Sequence, residues 1–374
     1  MSQAPAGSAH AQTIASDLPF DPAATSLPRG LRRFGKQLEA FGQALAAAER
    51  PWVGPAEPGA GHRPHLEEAS VGHRLYAANG RTPLFMLQGL ARLERGMRKE
   101  HLTFDELLGP VKVLEDALGA VDFWWGFLTS AEKWGLPVEV CRWSELQHAH
   151  ACGKLESWLL AHDWVAHRYQ PKAGKIRLRL NQMGRALQEE AWLGPRRERR
   201  KLAAFLVARL RKIHASALML DMDDLEGGLH ELRRKLRWVS IYAMALEGAL
   251  TLDEQAAPPP SWDRYLTDAV VTSKFAKLPL PDADTDPLLI PAPLFYALSW
   301  VIADLGDVKD RAQCSETIAA GLRATRQAGQ ATQWLGEKAL DHHAAGDHAR
   351  AVLEQALLRD AVLLRLADAI EGQI

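Results

Sequence analysis

The chain has 374 residues, 47% hydrophobic and 24% charged, with a formal net charge of −1. That length buries a large core, and the composition is that of a globular chain rather than a disordered or membrane one. Near-neutrality argues against a general nucleic-acid binder, and three widely spaced cysteines argue against a disulfide framework.

Residues 1–29 are small, polar and rich in Pro and Ala, and are expected to be disordered. They lack a basic start followed by an apolar core. No uncharged apolar run reaches the roughly 20 residues of a membrane span, so a cytoplasmic protein is expected. Residues 30–49 are dense in helix formers and stop at Pro51. Residues 51–68, with several prolines and glycines, read as a long loop. A helix is predicted around 66–79, a break at Gly80 and Pro83, and a second helix around 84–99. Residues 104–133 read as helix, a turn at Leu118-Gly119, then helix. Two or three helices follow over 142–193. Within them, the alternation from Lys175 to Leu180 either forms a short hairpin arm or begins a helix.

The strongest periodicity lies further on. Over residues 196–220, Leu202, Leu206, Leu210 and Ile213 form one stripe, and Arg196, Arg200, Arg211 and His214 form a basic face. Over 229–250, Leu232, Leu236, Val239, Ala243, Leu246 and Leu250 share one side. His230, Arg233, Arg234 and Arg237 share the opposite one. Lys235 falls toward the apolar edge, where it would snorkel. Four basic or titratable groups on neighbouring turns repel one another unless an anion lies across them; the plainer alternative is a solvated face. From Arg168 to Arg237 there are 18 Lys and Arg against 8 Asp and Glu, a surplus of ten, so the remainder carries −11. A local basic region on a neutral chain suits a confined polyanion site. The stretch within 256–293, rich in Pro and Asp, reads as an inserted loop with a short helix around 262–272. Helices over 294–304 and 311–328 would flank a turn at Leu305-Gly306, where glycine ends one helix and aspartate caps the next. The tail, 330–374, reads as a helical hairpin turning at Gly346-Asp347. It resembles a single tetratricopeptide unit.

Other chemistries are less well supported by the residues. His148 and Cys152 would share a helix face with His150 pointing elsewhere, but there is no CxxC or HExxH to make zinc the expectation. Asp341-His342-His343 with Asp347-His348 resembles a metal hydrolase in composition only. There is no GxSxG and no phosphate-binding glycine loop. No catalytic residue, cofactor or metal is therefore assigned, and a metal-dependent hydrolase ranks third among the readings.

The order Leu229-His230, Leu232-Arg233, Arg237 with Trp238 beside it resembles the signature helix of the conserved histidine α-helical domain (CHAD) family. This chain departs from the pattern at Ser240, where the family stays basic, and at Ile241, where it has tyrosine. The resemblance spans roughly 196–325 and extends faintly to 66–135. It implies an all-α fold of two tandem, diverged four-helix units over 30–329, the first about 66–190 and the second about 196–329, followed by the C-terminal helical hairpin. His73 would be the counterpart of His230, with Leu118-Gly119 and Leu305-Gly306 marking the two units. The second His-to-LeuGly span is longer by 30 residues. The implied function is non-catalytic binding of inorganic polyphosphate or a similar polyanion through a basic helical groove, with association with polyphosphate granules expected and no membrane and no specific nucleic acid as partner. The residues expected to contribute are His73, Arg74, Arg81, Arg196, Arg200, Arg211, His230, Arg233, Arg234 and Arg237. The alternative is a CHAD-like scaffold that has lost the polyanion and binds a protein partner.

Overall fold

A computed structural model describes residues 18–49, 70–99, 101–165, 176–273, 276–281, 285–330, 334 and 342–374. Among these the chain is predominantly helical. In order the helices are α1 (Arg29–Glu49), α2 (Val71–Ala77), α3 (Arg81–Met97), α4 (Leu102–Lys133), α5 (Val138–Ala161), α6 (Ile176–Gln188), α7 (Pro195–Ala217), α8 (Glu231–Ala245), α9 (Ala292–Ala324), α10 (His342–Leu353) and α11 (Val362–Glu371). No helix among the described residues is long and apolar enough to cross a membrane.

Local chemistry sets several of the ends. Pro195 opens α7, where its missing N–H costs nothing. The Ser70 hydroxyl accepts from the His73 N–H at the start of α2. Ahead of α8 the Asp224 carboxylate accepts from the N–H groups of Glu226 and Gly227 at 3.1 and 2.9 Å. Residues Leu225–His230 form one wide π turn that runs directly into α8. Glu247 and Gly248, both at positive φ, end it.

Apolar side chains gather in two main cores. One joins Phe34 and Leu38 of α1, Leu84 and Leu87 of α3, Leu114 of α4 and Leu155 of α5. The other joins Leu206 and Leu210 of α7, Leu232 and Leu236 of α8, Ile302 of α9 and Leu366 of α11. The stripes expected for α7 and α8 are buried in full. At such sites a leucine truncated to alanine costs about 2–5 kcal/mol. Between the two cores α3 and α8 pack directly. A Cβ on Gly89 would lie 3.1 Å from Ile241 and 3.6 Å from Ala245.

The structure differs from several sequence expectations. Residues 18–28 are ordered rather than disordered: Leu18 is buried and Phe20 packs on the same core. A Cβ on Gly35 would come 2.6 Å from Phe20, and one on Gly184 2.5 Å from Pro19. Averaged composition hides three consecutive apolar residues that fill a gap between α1 and α6. The turn expected at Leu118-Gly119 is absent, because α4 runs unbroken from 102 to 133. The turn at Leu305-Gly306 is likewise inside α9. So is the one at Gly346, inside α10; the chain instead reverses at Asp360-Ala361, with Ala361 at φ +50°. Each of these glycines serves a close approach and not a helix end. The Lys175–Leu180 ambiguity resolves toward helix, since α6 begins at Ile176. Two strands depart from the sequence expectation, β1 (Leu250–Asp253) just ahead of the inserted region and β2 (Leu288–Pro291) near its end, paired in parallel with Leu250 opposite Leu288. They bracket short helical turns at Asp263–Tyr265 and Asp268–Val271. The loop expected over 51–68 lies outside the described residues.

Candidate functional site

Helices α3, α4, α8 and α9, with Arg209 from α7, enclose an open cleft of about 1450 Å³. Its walls carry ten Lys and Arg side chains against six Asp and Glu. The cleft is therefore positive on a chain whose net charge is −1.

Two arginines enter it in the same way. Arg81, at the start of α3, lays its guanidinium against Gly119 in the middle of α4; a Cβ there would meet Nη2 at 2.8 Å. Arg233, in the first turn of α8, lays its guanidinium against Gly306 in the middle of α9; a Cβ there would meet Nε at 2.9 Å. In both cases a leucine precedes the glycine and is buried. Counting from the glycine shows where the two places diverge. Four residues before Gly119 is Glu115, and three after it is Asp122. Both carboxylates bond Arg81, Glu115 at 2.9–3.0 Å. The same offsets from Gly306 fall on Ile302, which is buried and apolar, and on Lys309. Where Arg81 has two anions, Arg233 thus has an apolar residue and a lysine at the matching offsets, and that lysine pairs with Asp310 at 3.3 Å.

Crowding of positive charge continues along α8. Arg92, Arg209, Arg233, Arg237 and Arg311 reach the cleft with no carboxylate in ion-pair contact among the described residues. Aromatic rings receive two of them: Arg237 stacks over Phe85 at 4.6 Å and Arg92 over Trp238 at 4.1 Å. Each of α3 and α8 thereby places an arginine on an aromatic ring of the other. Burial, reinforced by Arg233 and Arg81, pushes the Arg237 pKa below the ordinary arginine value; burial does the same to Arg92. His230 is held below the usual histidine range, chiefly by burial and then by Lys309. Several buried polar atoms around the cleft have no protein partner: Arg209 Nε, Arg233 Nε, His230 Nδ1 and Gln88 Nε2. Three of these four belong to side chains that donate hydrogen bonds at that atom in every charged form.

The sequence-based candidates separate into three groups. Arg81, His230, Arg233, Arg234 and Arg237 line the cleft. Arg234 is paired with Glu231, and Lys235, half-buried, also reaches Glu231, at 3.6 Å. Arg196, Arg200 and Arg211 do not line it. The first two are exposed on α7. Arg211 bonds Asp368 and Glu371 of α11 at 3.0 and 2.6 Å, so its charge is spent fastening the C-terminal helix. His73 and Arg74 form the third group and are buried away from the cleft. Arg74 donates to the Ala48 carbonyl at 2.7 Å, and His73 lies against His148. His73 is thus not placed as His230 is. Arg81, not a residue near His73, makes the contact that matches Arg233. Sequence reading missed Arg92, Arg209, Lys309 and Arg311, which sit on helices with apolar stripes of their own. Arg209 is two residues from Arg211, about 200° around the helix, and only burial distinguishes them.

Among its described residues, the acidic and histidine-rich segment near α10 divides between separate partners, and Asp341 lies outside the described residues. His348 pairs with Asp304 at 2.6 Å, whereas His343 and Arg350 reach Asp223. Comparison with known proteins finds no matching family model, no matching curated protein and no matching solved structure.

Proposed function

We propose that the cleft binds inorganic polyphosphate, or a polyanion of the same kind, without catalysing a reaction. The observation that carries this reading is the convergence of five arginines without carboxylate partners on one cleft, with inward donors left unmatched. Placing like charges together in a partly buried groove costs stability. An anion threaded between them would offset that cost and satisfy the free donors. Guanidinium groups suit this task, because their planar forks match phosphate oxygens. Among the described residues the cleft offers no nucleophile–base pair and no cluster of carboxylates free to hold a catalytic metal, and this supports binding rather than turnover.

The repeated packing of an arginine on a mid-helix glycine supports a tandem duplication of the CHAD type. On that reading α3 and α4 correspond to α8 and α9, and the inserted β1–β2 region accounts for the extra length of the second unit. Arg81, and not His73, then marks the first unit.

The test is a titration of the protein with long-chain polyphosphate at two salt concentrations. Neutralising several phosphates releases counterions, so the logarithm of the binding constant should fall linearly with the logarithm of salt, with a slope of about −0.7 per phosphate contacted. Saturable binding with a slope of roughly −2 to −4 is expected for three to five contacts. Absence of saturable binding at low salt would leave the protein-binding scaffold as the reading.

A further inference from the structure

Away from the cleft, three side chains with metal-ligating atoms meet in the core between α2 and α5. His73, His148 and Cys152 are 4%, 1% and 3% exposed. The Nδ1 of His73 lies 3.3 Å from His148 Nε2, and the Cys152 Sγ lies 3.5 Å from the same nitrogen. All three donor atoms fall within 4.8 Å of one another. A tetrahedral zinc with Zn–N near 2.05 Å and Zn–S near 2.3 Å would separate two nitrogens by about 3.4 Å, and a nitrogen from a sulfur by about 3.6 Å. The two measured separations match those edges.

The local sequence builds this convergence. His148 and Cys152 are one turn apart and share a face of α5, while His150 between them is exposed. Gly72, next to His73, lets α2 lie on the backbone of α5; a Cβ there would sit 2.7 Å from the Cys152 carbonyl oxygen and 3.2 Å from its Cα. Ser70 starts α2 just before it. Trp125 closes the cluster from α4, edge-on to His73 at 4.7 Å and tilted against His148 at 5.4 Å. The arrangement is poorly explained as a hydrogen-bonded trio. Cys152 also has a hydrogen bond with the Ser70 side chain, yet both His73 and Cys152 converge on one nitrogen of His148, which has a single lone pair to offer, and the other nitrogen of His148, Nδ1, is buried with no protein partner.

We propose that His73 Nδ1, His148 Nε2 and Cys152 Sγ form a zinc site that staples α2 to α5. The donor set, two imidazoles and a thiolate with no carboxylate in the cluster, selects zinc over magnesium or calcium, which demand oxygen ligands. Zinc also tolerates the low coordination number that three protein ligands imply, with a small exogenous ligand completing the tetrahedron. Binding exchanges the Cys152 thiol proton for the metal, so one proton leaves to solvent per ion bound.

Cobalt(II) is the direct probe of this site. The full chain, stripped with chelator, should bind one cobalt per molecule, giving the intense visible bands of a tetrahedral ion and a near-ultraviolet thiolate-to-cobalt band. Zinc should displace it and raise Tm by about 3 °C or more at saturating concentration. The Cys141→Ser, Cys314→Ser double variant leaves Cys152 as the single cysteine and should keep every band, as should His150→Gln. His148→Gln and Cys152→Ser should lose the thiolate band and the zinc-dependent rise in Tm. Weak octahedral spectra from the wild type would overturn the proposal. So would loss of the thiolate band in the Cys141→Ser, Cys314→Ser variant, which does not touch the buried cluster.

Discussion

Arg81 on Gly119 and Arg233 on Gly306 are one packing solution with two electrostatic outcomes. In each, glycine in the middle of a helix of more than 30 residues lets a guanidinium lie on the helix backbone. At the first, Glu115 and Asp122 neutralise the arginine. At the second, the same offsets carry Ile302 and Lys309, and the Arg233 Nε is left without a partner. The packing therefore explains why the glycines are there, and the charges around them explain which half can take an anion. On the proposed reading one arginine is structural and the other is held ready for an anion.

That contrast can be broken most forcefully at Arg81. Arg81→Ala strands Glu115, which is buried, without its cation, and should cost about 2–3 kcal/mol of unfolding free energy by denaturant titration. Arg233→Ala removes a charge that makes no ion pair among the described residues. It should change stability by no more than about 0.5 kcal/mol. Equal losses from the two substitutions would erase the distinction.

The glycines sharpen it. Gly306→Ala forces the Arg233 guanidinium aside, and because that is the far end of a flexible chain the fold absorbs it. Alanine also gains about 1 kcal/mol of helix propensity. Stability should hold or rise while polyphosphate affinity falls by roughly 3–10-fold, a loss of about 1 kcal/mol. Gly119→Ala should do the reverse, lowering stability by up to about 1 kcal/mol through a displaced Arg81 and leaving affinity unchanged. Both are read by thermal denaturation beside a binding isotherm.

Making the first half resemble the second should raise affinity. Asp122→Asn frees part of the Arg81 charge toward the cleft, and binding should tighten by about 2–5-fold. Unchanged affinity would mean that Arg81 lies off the ligand's path.

The smallest effect concerns pH. His230 faces Lys309 from α9, Glu226 from the π turn, and Arg233 and Arg234 from α8. Its depressed pKa leaves it neutral in the free protein near neutral pH. A bound polyanion favours the imidazolium and raises that pKa. Binding then takes up a proton, and affinity grows as pH falls through the raised value, levelling off below the lowered one. A gain of roughly 2–5-fold on acidification is expected by isothermal titration, and His230→Gln should remove it.

How much of this was legible follows from which interactions are local. The apolar stripes of α7 and α8 are properties of one helix, and every member named from periodicity is buried. The basic face of α8 was legible for the same reason. Gly119, Gly306 and Gly346 stand out in the sequence, where they predict turns. Glycine both ends helices and admits close neighbours, and only the neighbour decides which; here the neighbours are Arg81, Arg233 and the Met222 backbone, all distant in sequence. Helical spacing alone puts Arg211 on a basic face, and its pairing is invisible there because its acidic partners, Asp368 and Glu371, lie more than 150 residues away. The one-turn spacing of His148 and Cys152 could be seen, but not that Gly72 would bring His73 onto them.

The central claim is that the Arg233 half, and not the Arg81 half, holds the anion. It is tested most directly by titrating long-chain polyphosphate, at one low and one moderate salt concentration, into wild type, the Arg233→Ala, Arg237→Ala double variant and Arg81→Ala. The account predicts that the double variant binds about 10–100-fold more weakly, equivalent to about 1–3 kcal/mol, with a shallower salt dependence and undiminished helix content. Arg81→Ala, where still folded, should bind within about 3-fold of wild type. Wild-type affinity in the double variant, or a larger loss from Arg81→Ala than from the pair, would contradict it.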